Sequence, residues 1–229
     1  MTNFVFDVDG TLTPSRQLID PEFAEWFLSF SNKNNVYLVT GSDYAKTLEQ
    51  LGEEVCNNVS GIYNCCGNVL YVKGELKYRN EFDLTIEQEQ FLNTLLDQST
   101  FPIRTGNHIE KRIGLVNFSI VGRNATLTQR HNYAQYDSLT SERAILAKSI
   151  EDAFSELEAT VAGETGIDIY PKGKDKSQIA EFVKPFVFFG DKIMPGGNDY
   201  TIAQYAKVCY NVMSWEETFE ILRKVYSQC

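Results

Sequence analysis

Phe4-Val5-Phe6-Asp7-Val8-Asp9-Gly10-Thr11-Leu12-Thr13 is a short apolar run that delivers two carboxylates, two positions apart, into a Gly-Thr turn. In an extended backbone, residues i and i+2 face the same way, about 6.6 Å apart. Asp7 and Asp9 are therefore expected to flank one phosphorus from opposite sides, one attacking while the other protonates the departing oxygen. Gly10 lets the chain turn at once, and the amides freed there, with the Thr11 hydroxyl, are expected to hold phosphoryl oxygens. The alternative is an acidic turn that only caps the next helix. Asp, Gly and Thr are common turn residues, but they rarely fall in this order after an apolar strand.

Working outward, the chain has 229 residues and 43% hydrophobic content, enough to bury a substantial core in one large domain or two small ones. No apolar run approaches the roughly 20 residues of a membrane span, and Met-Thr-Asn leads straight into the strand without a basic leader. A cytoplasmic protein is expected. Cys56, Cys65, Cys66, Cys209 and Cys229 are odd in number and lack ligand-like pair spacing, which argues against a disulfide framework or a zinc site. The net charge of -10 argues against nucleic acid and anionic membrane as partners.

An anionic substrate then needs a local positive pocket. Residues 101–131 supply Arg104, Lys111, Arg112, Arg123 and Arg130 against the single acid Glu110. Arginine is chosen over lysine four times in five, which favours forked recognition of phosphate oxygens. His108 and His131 fall in neither a nucleophile nor a metal spacing and are expected at the surface.

Strand and helix signals alternate at both ends of the chain. A strand at 3–6 is followed by a helix at 21–32, opened by Asp20-Pro21 as N-cap and first turn. A strand at 36–40 then leads through Gly41-Ser42-Asp43 into a helix ending near 51. This order implies a parallel sheet with right-handed crossovers and sites at the carboxyl ends of the strands, where Asp7, Thr40 and Ser42 fall. Residues 61–75 read as short strands, a possible hairpin. From 82 the style changes: helical spacing at 85–97 and 141–157, strand-like alternation at 103–122 and 159–170, suggesting helices packed on an antiparallel sheet. After 171 the first style returns, with helices from 176, at 200–206 and at 215–226, and strands at 186–189 and 208–212. The expected fold class is α/β. A core at 1–81 and 172–229 has a parallel sheet, and an inserted α+β cap at 82–171 carries an antiparallel one.

Gly190-Asp191-Lys192-Ile193-Met194-Pro195-Gly196-Gly197-Asn198-Asp199 again places carboxylates and an amide directly after an apolar strand. A divalent ion at a phosphoryl site takes oxygen ligands and needs one or two carboxylates. Asp7, Asp191 and either Asn198 or Asp199, with the Asp9 backbone carbonyl, would make a magnesium shell. Taken alone, Gly-Gly-Asn-Asp reads equally well as a turn capping the next helix.

Together these segments resemble the haloacid dehalogenase superfamily. The opening motif followed by Arg16, Gly41-Ser42-Asp43, the stretch Arg112 to Arg123, and the Asp191 loop are similar to the eukaryotic-type phosphomannomutases, and the similarity runs over nearly the whole chain. The resemblance implies that Asp7 becomes an aspartyl-phosphate and Asp9 is the general acid and base. It also implies that Gly10, Thr11, Ser42 (or Thr40) and Lys176 contact the transferred phosphoryl group. Arg104, Arg112 and Arg123 match sugar-phosphate-binding arginines, Asp168 matches a carboxylate that contacts sugar hydroxyls, and Arg16 is placed to reach the ligand. Magnesium, hexose phosphate substrates, a homodimer through the cap and a place in GDP-mannose biosynthesis are implied in the same way. Cys65-Cys66-Gly67 stands where that family has Glu-Asn-Gly, Lys174 where it has Trp, Gly166 where it has Ser, and Ile193 where it has Thr. The expected reaction interconverts mannose 6-phosphate and mannose 1-phosphate through a hexose 1,6-bisphosphate. The alternatives are a sugar phosphatase on the same scaffold, in which water takes the phosphoryl group, and a catalytically silent sugar-phosphate-binding protein.

Overall fold

Strand β1, Asn3–Phe6, lies inside a seven-stranded sheet and is itself buried on both faces, in a computed structural model that describes residues 2–226. Helix α1, Pro21–Ser31, follows. Asp20 caps it by accepting from the Glu22 and Phe23 amides at 2.9 and 3.1 Å, and Phe23, Phe27 and Phe30 recur on its buried face. Strand β2 is Asn35–Val39, and α2 is Tyr44–Asn58, capped by Asp43. Helix α2 extends past the expected end near residue 51. Gly52, at φ 79° and ψ 160°, absorbs a break in its backbone, and Val55 and Cys56 beyond it still bury against the core. Strands β3 (Gly61–Asn64), β4 (Val69–Val72) and β5 (Glu75–Arg79) run through two reversals, the first around Cys65–Gly67 and the second at Lys73-Gly74.

The chain then enters a second compact unit, 81–173, and returns to the first for 174–229. In the second unit, α3 is Ile86–Gln98, β6 Ile109–Arg112, β7 Leu115–Phe118, α4 Leu127–Thr140, α5 Glu142–Ala153, β8 Leu157–Ala162 and β9 Gly166–Pro171. Its sheet is antiparallel in the order β6-β7-β9-β8. Phe101, Phe118, Tyr133, Ile150 and Ile169 are among the residues that fill the space between sheet and helices. The alternation read over 103–122 resolves into two short strands, so Arg104 and Arg123 both lie in loops. Helix α4, unmarked by strong hydrophobic spacing, starts at a Thr126/Gln129 capping box and buries Tyr133.

Back in the first unit, a single 3-10 turn at Lys176–Ile179 leads into the short helix α6, Ala180–Val183. Strand β10 (Phe186–Gly190), α7 (Tyr200–Ala203), β11 (Val208–Asn211) and α8 (Trp215–Val225) complete it. The strand order is β11-β10-β1-β2-β3-β4-β5, parallel from β11 through β3 and antiparallel beyond. Phe4, Phe6 and Phe189 face a core shared with α1, α2 and α8, while Val5, Phe186 and Phe188 face Ile179, Val183 and Ile202. Burial on both faces is why these strands read as continuous apolar runs. Among the described residues no helix is long and apolar enough to cross a membrane, and no disulfide forms. Cys229 lies outside the described residues.

Candidate active site

Asp7 continues β1 at its carboxyl end, its amide donating to the Phe189 carbonyl at 2.9 Å, and its side chain is buried. Lys176 Nζ donates to Asp7 Oδ1 at 2.6 Å and to Asp199 Oδ1 at 2.7 Å. Lys176 is only 1% exposed, so it is no ordinary surface lysine. Burial by itself disfavours the Lys176 ammonium. Asp199 and Asp7 more than reverse that and hold it above the usual lysine range. Burial pushes the Asp7 carboxyl up, Lys176 opposes the rise, and Asp199 and Asp191 reinforce it.

Carboxylate oxygens of Asp7, Asp191 and Asp199 lie within 4.8 Å of one another. Three carboxylates so close leave negative charge that one buried ammonium does not cancel. Asp191 Oδ1 and Asn198 Oδ1 are buried and accept no hydrogen bond, whereas both Asp199 oxygens are engaged, Oδ1 by Lys176 and Oδ2 by the Lys192 amide at 3.2 Å. An all-oxygen donor set with excess negative charge and two orphaned acceptors fits magnesium. Gly10 makes this approach possible. Its φ is 85°, and a Cβ there would stand 2.6 Å from Asp191 Oδ2.

Asp9 is half-buried and turns toward α2. Its Oδ1 accepts from the Arg16 amide at 2.6 Å and from Gln50 Nε2 at 3.0 Å, and the Ser42 hydroxyl lies 3.5 Å from Oδ2. Thr40 Oγ1 accepts from the Ser42 amide at 3.1 Å, shaping the turn in which Ser42 sits. The expectation that the Gly10 loop frees its amides needs correcting. Gly10 N donates to Thr13 O, and the Thr11, Leu12 and Thr13 amides all donate to Val8 O, so these donors close the turn. The Thr11 hydroxyl is buried without a hydrogen-bond partner.

In the second unit, Glu110 Oε2 accepts from Arg112 Nε at 2.8 Å and lies 3.1 Å from Arg123 Nε. Burial raises the Glu110 carboxyl, but the two guanidinium groups outweigh it and hold the carboxyl below its usual value. Asn117 Nδ2 donates to Asp168 Oδ1 at 2.7 Å, and Arg112 Nη1 stands 3.9 Å from the same oxygen. Gly166 leaves room for that amide, since a Cβ there would lie 2.5 Å from Asn117 Nδ2. Arg104 is held differently from Arg112 and Arg123. Its guanidinium donates to the carbonyls of Leu96, Ser99, Phe101 and Ile103, binding the end of α3. Arg130 pairs with Glu164 at 3.3 Å, and the exposed Lys111 pairs with Asp83. Arg16 is exposed, as is His131, while His108 is half-buried with Nδ1 2.9 Å from the Ser119 carbonyl.

Gln50 and Asn117 went unread in the sequence. A signal for Gln50 existed, because a polar side chain sits between Thr47 and Leu51 in the stripe of α2 that turns inward. The departures at Cys65 and Cys66 are buried at positive φ, 50° and 58°, and the Cys66 carbonyl accepts from Gln178 Nε2 at 2.8 Å.

The parallel sheet with its carboxylates at the strand ends defines a class first. A haloacid dehalogenase-like hydrolase from Bacteroides thetaiotaomicron superposes with a TM-score of 0.61 at 12% identity, covering 98% of this chain and 99% of that one. A subclass IIB sugar phosphatase superposes at 0.57 and 17% identity, covering 91% and 86%. The fold is that of the haloacid dehalogenase superfamily. Residues 23–228 match the model of the eukaryotic phosphomannomutase family. The phosphomannomutase of Galdieria sulphuraria is 32% identical over 235 residues, covering 97% of this chain and 94% of that protein. The phosphomannomutase of Saccharomyces cerevisiae is 32% identical over 240 residues, covering 99% and 94%. This chain belongs to the eukaryotic phosphomannomutase family.

Proposed function

We propose that the protein is a magnesium-dependent phosphomannomutase that interconverts mannose 6-phosphate and mannose 1-phosphate through an aspartyl-phosphate and a hexose 1,6-bisphosphate. The observation that carries this reading is the pair of carboxylates in two different settings. Asp7 is buried against a lysine, and Asp9 is half-buried and held by neutral donors. Asp7 attacks phosphorus, the bond from phosphorus to the sugar oxygen breaks with its electron pair on that oxygen, and Asp9 gives the oxygen a proton. In the reverse transfer Asp9 takes a proton from the attacking hydroxyl. Lys176 keeps Asp7 in place and offsets part of the charge gathered there, and the Thr11 and Ser42 hydroxyls orient the phosphoryl oxygens.

Asp7, Asp191, Asn198 and the Asp9 carbonyl would hold the magnesium, which supplies positive charge to the transferring phosphoryl group. Asp199, engaged on both oxygens, serves as the counter-charge that positions Lys176. Arg112 and Arg123 take the phosphate that is not reacting, Asp168 takes sugar hydroxyls, and Arg16 assists at the loop. A homodimer joined through the inserted unit accords with Leu127 and Leu139, which are 85% and 87% exposed there, and a cytoplasmic location is part of the same reading.

The test is incubation with mannose 1-phosphate, magnesium and trace hexose bisphosphate, assaying mannose 6-phosphate and free phosphate together. Mannose 6-phosphate in excess supports the mutase. Free phosphate alone assigns a sugar phosphatase.

A further inference from the structure

The two oxygens of Asp9 are not equivalent. Oδ1 accepts the Arg16 amide at 2.6 Å and Gln50 Nε2 at 3.0 Å, while the contact at Oδ2 is the Ser42 hydroxyl at a long 3.5 Å. Gln50 is 1% exposed, and its Nε2 also donates to Thr13 Oγ1 at 3.1 Å. The backbone on either side of Asp9 is tied to Thr13 by the bonds from Gly10 N to Thr13 O at 2.8 Å and from Thr13 N to Val8 O at 3.1 Å. One side-chain amide thus clamps both arms of the loop that carries the acid.

The other end of that amide is costly. Gln50 Oε1 is buried and accepts no hydrogen bond. Turning the amide over would relieve nothing, because it would set Oε1 against a carboxylate that only accepts. A leucine would fill the stripe between Thr47 and Leu51 without an orphaned carbonyl, so packing does not account for glutamine here.

We propose that Gln50 is a positioning residue for proton transfer by Asp9, an inference that rests on the phosphotransfer reading above. Two donors already point at Oδ1 and leave no room there for a hydrogen, so Oδ2 is the oxygen from which Asp9 hands over its proton. In the forward step the Asp7–phosphorus bond forms and the bond from phosphorus to the sugar oxygen breaks. The sugar oxygen keeps the electron pair and takes the Oδ2 proton. Without Gln50 the carboxyl can rotate, and the proton is no longer held toward the leaving oxygen. The need for it scales with the leaving group. A sugar alkoxide must be protonated as it departs, whereas acetate from acetyl phosphate need not be.

The test is single-turnover phosphorylation of the full-length protein with magnesium, followed by intact-protein mass, using glucose 1,6-bisphosphate and acetyl phosphate as alternative donors. Gln50→Met keeps length and volume without the N–H donors. Gln50→Glu, nearly isosteric but without the N–H donors and able instead to accept from the Thr13 hydroxyl, is the second variant should the first not fold, and melting temperatures report folding. Expected is a loss of at least tenfold in rate with the bisphosphate and less than threefold with acetyl phosphate. Equal slowing with both donors in a variant that melts like the wild type overturns the inference, since Gln50 then supports the site only as structure. No slowing with either donor overturns it as well. A wild-type protein that forms no phosphoenzyme from either donor overturns the phosphotransfer reading itself, and this inference with it.

Discussion

Lys176 donates to Asp7 at 2.6 Å with the lysine 1% and the aspartate 3% exposed, so the candidate nucleophile and its counter-charge are both sealed from water. Such a pair holds its geometry well, because neither partner can turn to solvent. Removing one partner is far more damaging than the pair is stabilising. Lys176→Met should therefore cost about 3–5 kcal/mol of unfolding free energy, leaving Asp7 and Asp199 facing each other uncompensated. Urea denaturation measures this, and magnesium should recover part of the loss. An unchanged midpoint without metal would mean that the pair contributes nothing.

Asp7→Asn should abolish the phosphoenzyme, because an amide does not attack phosphorus as a carboxylate does. Asp9→Asn should retain metal binding through its backbone carbonyl and lose leaving-group protonation. Intact mass after incubation with a hexose bisphosphate checks both. Stoichiometric phosphorylation of Asp7→Asn at the wild-type rate would remove Asp7 from the reaction.

Chelation should abolish turnover, and Asp191→Ala should weaken magnesium affinity at least tenfold, since Asp191 Oδ1 is buried without another partner. Calorimetric titration of magnesium into the metal-stripped protein gives the affinity. Full activity of that stripped protein would show that the carboxylates serve another end.

The arginines of the inserted unit should separate by role. Arg112→Ala or Arg123→Ala removes a charge-assisted contact worth roughly 1.5–3 kcal/mol, weakening bisphosphate binding at least tenfold while sparing hydrolysis of a small phosphate ester. Arg104→Ala should lower the melting temperature and leave KM for the sugar phosphate alone, because its partners are the carbonyls at the end of α3. Loss of substrate affinity in Arg104→Ala at unchanged stability would reverse this division.

Asp168 is buried, and burial raises its carboxyl above the ordinary 3.8 against the opposing pull of Arg112 and Asn117. A group raised on folding binds a proton more tightly in the native state, so its contribution to stability falls as pH rises from 3.8 toward the native value. Asp168→Asn should consequently gain in stability relative to wild type over that interval while losing sugar affinity. Denaturation curves across acidic pH test this, and a constant difference between the two proteins would refute it.

The strand Asn3–Phe6, the carboxylates that follow it and the Asp191 loop were legible from sequence because each rests on a local pattern, an apolar run broken by turn residues. So were the change of style near residue 82 and the return after 171, since period-2 and period-3.6 spacing are properties of neighbours in the chain. Helix α4 was not, because its hydrophobic spacing is weak and its placement depends on one buried tyrosine. The partners of individual polar side chains were not legible from local pattern. Lys176, which meets Asp7 across 169 residues, was expected at the phosphoryl group through the resemblance, whereas nothing announced that Gln50 meets Asp9 across 41 or that Arg104 turns back to carbonyls instead of standing with Arg112 and Arg123. A charged or amide side chain shows the same chemistry in sequence whether it will be buried, bonded or bare. Which of these it becomes is set by desolvation and by the donors and acceptors that remote segments bring to it, and only the packed chain decides that.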